Sequence, residues 1–196
     1  MLSILAVAGA CGPSTSSPPA FSAQNAPPAS QRSPSATSSS AASGRGVAVD
    51  PSLLSILPDE VGGASIDPSP ETAADVAKDP ALAIAVEALA IGLAVSSGSS
   101  TDQDLVIASV VRLRPDIFND AFFRSWRDSY DRAACAQAGG VAGNAETEID
   151  DRQVFIGSCV NGAFTYHTRY GEDVLVSLTS VGKSRFGEQV MSNLGN

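Results

Sequence analysis

The sequence predicts an α+β fold: two layers, a mostly antiparallel sheet with helices packed on one face, preceded by a disordered linker. Three observations lead there. Residues 118–130 place Phe118, Phe122, Trp126 and Tyr130 four apart, the spacing of one helix face. Beyond Gly139-Gly140 the apolar period drops to 2, the mark of strands. Residues 12–45 hold Ser, Ala, Pro, Thr, Gly, Gln and Asn almost exclusively, with Phe21 as the one large apolar side chain. Such a segment buries too little apolar surface to offset the entropy of ordering.

The 196 residues thus divide into three stretches. Residues 1–10 (MLSILAVAGA) form an uncharged apolar run that ends in small residues, like the core and cleavage site of an export signal. Cys11 follows Gly9-Ala10 as in a lipobox, where the cysteine receives diacylglycerol and becomes the mature N-terminus. Ala8 stands where leucine is usual, and no Lys or Arg precedes the run, so the expected start codon lies upstream. The run is too short to span a bilayer as it stands. Residues 11–45 are then a lipidated cysteine plus a spacer, whose flexible coil would reach about 30–35 Å, further with its prolines. Residues 46–196 are expected to form one globular domain.

Charge is just as uneven. No acidic residue precedes residue 46, and only Arg32 and Arg45 of the 12 basic residues do. The domain therefore holds 10 basic and 21 acidic side chains, a net charge of −11. That field repels phosphate backbones and anionic headgroups, which argues against nucleic acid as a partner and leaves membrane attachment to the lipid on Cys11. Cys135 and Cys159 suit one structural disulfide in an exported domain. It would close a loop of 24 residues and contribute roughly 3 kcal/mol by chain entropy. A metal centre needs about four ligands, and the chain has a single histidine and no Cys-x-x-Cys, so no metal or cofactor is expected.

Within the domain, residues 53–58 (LLSILP) are a short apolar run, and Val61 opens a short strand. Ser69-Pro70-Glu71 is a helix start, with Ser as N-cap and Pro in the first turn, for a helix to residue 77. Residues 81–95 (ALAIAVEALAIGLAV) carry one charge and read as a largely buried helix. Residues 105–113 (LVIASVVRL) are β-branched and apolar on both faces, as in a central strand. Asp116 is expected to cap a helix running to residue 137, closed by Gly139-Gly140. Strands follow at 146–149, 153–159, 163–170 and 174–181, with turns at Asp150-Asp151, Asn161-Gly162 and 171–173, then a helix over 184–194.

The opening LLSILPDEVGG and the closing VFIGSCVNGAFTYHTRYGEDVLVSLTSV resemble an uncharacterised domain of bacterial, actinobacterial-type lipoproteins. The resemblance covers residues 50–194. It implies the address already read from Cys11, supplies no catalytic residues, and does not include the cysteine pair or the Trp126 helix.

No Gly-x-Ser-x-Gly, Walker or dinucleotide-binding glycine pattern occurs. His167 is the one imidazole; on a strand face shared with Arg169 it reads as an exposed sheet-face histidine rather than a base. Glu146, Glu148, Asp150 and Asp151, and separately Asp102 and Asp104, lack the glycine turn and ligand spacing of a calcium loop and read as solvated carboxylates. The Phe118, Phe122, Trp126, Tyr130 stripe reads as core. The function expected is an exported protein, lipid-anchored on the extracytoplasmic face of the cell membrane, with a non-catalytic binding domain for an envelope protein, glycan or small ligand. The alternatives are an envelope accessory without a ligand site, and a hydrolase-like enzyme.

Overall fold

The computed structural model describes residues 46–97 and 103–195. The expected signal run, Cys11, the linker over residues 11–45 and Asp102 lie outside the described residues. The chain enters through β1 (Ala48–Val49), a 3-10 turn (Pro51–Ile56), β2 (Glu60–Val61), β3 (Ala64–Ser65) and β4 (Asp67–Pro68). Then come α1 (Pro70–Val76), α2 (Leu82–Ala85), β5 (Val86–Val95), β6 (Leu105–Leu113) and α3 (Asp120–Ala134). A second 3-10 turn (Ala136–Ala138) leads to β7 (Val141–Ile149), β8 (Arg152–Cys159), β9 (Phe164–Tyr170), β10 (Val174–Val181) and α4 (Phe186–Ser192).

The main sheet has eight strands in the order β1-β5-β6-β10-β9-β8-β7, with β4 also pairing β5. Every pairing is antiparallel except β1 with β5. The α+β class with a mostly antiparallel sheet is therefore the observed one. Helical segments lie on both faces of that sheet, where the sequence pattern implies one. On one face the 3-10 turn and α4 pack Leu53, Phe186, Val190, Met191 and Leu194 against Val106, Val110, Tyr166 and Leu178. On the other, α1 and α3 cover Leu89, Ile91, Val111, Leu113 and Leu175. A central strand buried on both faces needs exactly such double cover, and β6 and β10 have it. No described helix is long and apolar enough to cross a membrane.

The largest departure from expectation is at residues 81–95. The buried helix is absent; α2 takes one turn and β5 the rest. A continuous apolar run carries no period, so it cannot tell a buried helix from a strand with both faces covered. Tertiary pairing decides it: β5 pairs β6 from Val95↔Leu105 to Val86↔Leu113, and the register shift between Val86 and Ala88 turns Glu87 out to solvent.

Smaller corrections have local causes. The long helix starts at Asn119, whose side chain accepts from the Phe122 N–H at 2.9 Å. Asp116, at φ 62°, lies in the left-handed turn that precedes the helix, and its side chain caps nothing in α3. At the Asn161-Gly162 turn only Gly162 takes positive φ, so the connection runs over four residues from Cys159 to Phe164. The tight turn is instead Asp150-Asp151, where both residues take positive φ.

Gly92 offers a test of the strand assignment. A Cβ there would lie 2.8 Å from Ile66 Cγ2 and 3.4 Å from Leu54 Cδ2. In β5, Gly92→Ala is expected to destabilise by about 1–3 kcal/mol through overpacking. In a helix the same change would stabilise by about 1 kcal/mol. The sign of the shift in urea midpoint decides between them.

Candidate functional site

Helix α3 crosses the sheet above β8, β9 and β10, and the pleat raises Thr165, His167, Ser177 and Thr179 toward it. These polar side chains meet the helix rather than solvent. His167 is fully buried, not the exposed sheet-face residue that the alternation with Arg169 suggested. Its Nε2 lies 2.7 Å from Asp131 Oδ1 and its Nδ1 3.0 Å from Ser177 Oγ. Thr165 Oγ1 donates to the same Asp131 oxygen at 2.5 Å, and Trp126 Nε1 donates to Ser177 Oγ at 3.1 Å. Above them the Tyr130 ring stands edge-on to the imidazole at 5.1 Å, with its hydroxyl accepting from Thr179 Oγ1.

The ends of this chain fix its protons. The indole only donates and the carboxylate only accepts. Ser177 therefore accepts from Trp126 and His167 Nε2–H donates to Asp131, with His167 Nδ1 and Ser177 Oγ hydrogen-bonded to each other between them. Every group in that sequence is satisfied, as buried polar groups require. Burial alone would raise the Asp131 carboxyl; the His167 and Thr165 hydrogen bonds outweigh it, helped by the nearby Arg127 charge, and hold it below the usual carboxylate range. Burial pushes the Tyr130 phenol up to about 12, against the pull of Thr179, so it stays neutral.

Asp, His and Ser in contact are also the components of acyl-transfer enzymes. Here the ring is turned the other way, with Nε2 on the acid and Nδ1 on the serine. Ser177 is 1% exposed beneath Trp126, so a carbonyl carbon has no approach to its oxygen. The chemistry this network performs is to hold a helix on a sheet. Close approach depends on Gly157 of β8, where a Cβ would collide with Thr165 Oγ1 and come within 2.8 Å of Asp131 Oδ2.

The far end of the network is different. Asp131 uses Oδ1 for both hydrogen bonds, and among the described residues its Oδ2 receives none. The carboxylate lines a hollow of about 230 Å³ with Arg127, Asn144, Glu146, Phe155 and Ile156. A second hollow of about 350 Å³ adjoins it, sharing Arg127, Glu146 and Phe155 and extending to Asp120, Phe123, Arg124 and Gln153. The groove lies between α3 and the β7–β8 hairpin. The Arg127 guanidinium lies 4.3 Å over the Phe155 ring, and Gln153 Nε2 donates to Glu146 Oε1. Phe123 meets Phe155 edge-on at 5.4 Å. Charges of both signs and an aromatic floor suit a polar ligand with an apolar stem.

The expected pair Cys135 and Cys159 forms a disulfide, with the Cα atoms 5.2 Å apart. It ties the end of α3, one turn beyond Asp131, to the end of β8. Glu146, Glu148, Asp150 and Asp151 are exposed, as expected of solvated carboxylates, whereas Asp104, read the same way from the sequence, is buried. Asp104 accepts from the Ser184 N–H at 2.7 Å and hydroxyl at 2.6 Å, which hold its carboxyl below the ordinary range. Among the described residues no three His, Cys, Asp or Glu side chains gather to metal-binding distance. The stripe residues Phe122 and Trp126 pack on the second core, as expected of them. The sequence reading missed Asp131 and Ser177, because nothing local marks a pair separated by 46 residues. No protein family, curated protein or solved structure matches the chain.

Asp131→Ala leaves His167 and Thr165 buried without their acceptor and is expected to cost about 2–4 kcal/mol. Because the folded carboxyl titrates below its unfolded value, its contribution is present above the ordinary aspartate range and is lost as pH falls through the lowered value. The acid limb of a stability-versus-pH curve is therefore expected to flatten in Asp131→Asn relative to wild type. Reducing the disulfide, or Cys135→Ser with Cys159→Ser, is expected to cost about 2–4 kcal/mol in a denaturant titration.

Proposed function

We propose that this chain is an exported protein, anchored through lipid on Cys11 to the extracytoplasmic face of the cell membrane, whose acidic domain binds a ligand without transforming it. The groove between α3 and the β7–β8 hairpin carries the binding half of this reading. Its lining holds the Asp131 carboxylate, with one oxygen not hydrogen-bonded among the described residues, the Phe155 ring, and polar side chains of both charges. The Cys135–Cys159 disulfide supports the address, since such bonds persist in oxidising compartments. So does the order of an apolar run, Cys11 and a Ser/Ala/Pro-rich spacer. The likeness of residues 50–194 to a bacterial lipoprotein domain belongs to the same reading. The sealed Ser177 weighs against an acyl-transfer role for the one histidine.

Each half has its own test. Chain isolated from native membranes is expected to yield an N-terminal peptide beginning at lipidated Cys11, and Cys11→Ala to shift the protein into the soluble fraction. A native chain with unmodified Cys11 preceded by residues 1–10 would sink the anchor. For binding, a small-ligand screen on the full chain by NMR is expected to move resonances of Asn144, Glu146 and Phe155, and Phe155→Ala to abolish the shifts. A screen that moves none of them removes the groove as a ligand site.

A further inference from the structure

β7 ends the sheet, and among the described residues nothing pairs with its outer edge. It is nine residues long. Its register shows which backbone groups stay open. Asp150 and Asp151 form a two-residue turn between the paired Ile149 and Arg152. Such a turn makes its closing pair exchange both backbone hydrogen bonds, and bonded and non-bonded pairs alternate from there. Thr147 and Ala145 thus bond inward to Val154 and Ile156, while Glu148, Glu146 and Asn144 direct N–H and C=O outward. A long exposed edge of this kind is ordinarily blunted by charged side chains, lysine above all, by proline or by a bulge; the charges on β7 are the carboxylates of Glu146 and Glu148. β7 has no lysine and no proline, and its bulge lies at the far end, between Val141 and Gly143.

The same three residues stand opposite Gln153, Phe155 and Gly157, the β8 residues that face α3. Glu146, Asn144 and the Asp131 carboxylate line one hollow. A strand added to β7 would therefore place every second side chain on the α3 side, beside Glu146 and Glu148 and at the mouth of that hollow. Charge selects the occupant. A second copy of β7 would bring four glutamates together with no cation on either strand. A strand with lysine or arginine at alternate positions meets Glu146 and Glu148 in turn and offers one ammonium or guanidinium to the unused Asp131 Oδ2. The Phe155 ring is already covered by Arg127, so carboxylates rather than the aromatic face receive the incoming charge.

We propose that β7 is a docking edge for an extended basic peptide, a segment of a partner protein that joins the sheet as a further strand. This rests on the binding reading above and names its ligand class. The test uses the full chain and synthetic peptides alternating lysine with threonine. The lysine peptide is expected to bind saturably and more weakly with added salt, and to protect the Asn144, Glu146 and Glu148 amides from hydrogen exchange. Its glutamate counterpart, and a lysine peptide N-methylated at every second residue, are expected not to bind. Glu146→Lys with Glu148→Lys, both exposed, is expected to weaken the lysine peptide about tenfold and to admit the glutamate one.

Absence of binding, protection away from β7, or indifference to the charge reversal each overturns the proposal. Self-association through the same amides would replace it with a second copy of this chain. Tighter binding after deletion of residues 12–45 would replace it with an occupant from this chain's own spacer. If peptides fail while small ligands still move Asn144 and Phe155, the docking edge falls and the binding groove stands; if both fail, both fall.

Discussion

A carboxylate removed from water beneath a helix costs several kcal/mol unless its lone pairs are taken up. Asp131 meets that condition with Thr165 and His167 on the strand below. The imidazole can serve because Ser177 satisfies its other nitrogen, and Ser177 can serve because Trp126 donates to it. Both ends of the sequence lie on α3, so the helix closes the network on itself across the sheet. Rotating or sliding α3 would break both ends together. Apolar packing of Phe122 and Trp126 also holds the helix on the sheet, but it tolerates small shifts. The hydrogen bonds fix the one position in which each partner is met. The disulfide acts on the same helix through the chain, one turn past Asp131.

Much of the fold was legible in the sequence, for reasons that can be named. The strands of the closing meander alternate in polarity and are separated by Gly, Asn and Asp, so period and turn chemistry agree. The α3 stripe repeats every four residues. Where the reading failed, local and global signals separate. Residues 81–95 are rich in Ala and Leu, which favour helix, and lack the polar residues that would reveal a period of 2. Burial on both faces erased the signal that would have identified β5. Pro115-Asp116 looks like a helix start, yet α3 begins after Asn119, whose side chain caps its first turn.

The candidate site was much less legible. His167 stood out only as the sole imidazole, and period-2 alternation placed it correctly beside Thr165 on one face. That face was taken as solvated because Thr, His and Arg share it. The structure covers it with a helix whose own polar residues, Asp131 and Trp126, complete it. Polar residues on a covered face are legible only once their partners are known, and those lie on another element 36 and 41 residues away. Gly157 is invisible in the same way: its role is the space its missing Cβ leaves for Asp131 and Thr165.

The groove beside α3 then has two different walls. α3 is held from below by the buried network and at its end by the disulfide, so the wall carrying Arg127 and Asp131 is fixed. The opposite wall is β7, whose inner side is fully paired and whose outer side is open. The fixed wall offers side chains, with the Arg127 guanidinium over the Phe155 ring beside Asp131. The open one offers backbone, the N–H and C=O groups of Asn144, Glu146 and Glu148. The domain's net charge of −11 sets the sign of charge that either attracts, and Glu146, shared by hollow and edge, joins the two walls into one surface.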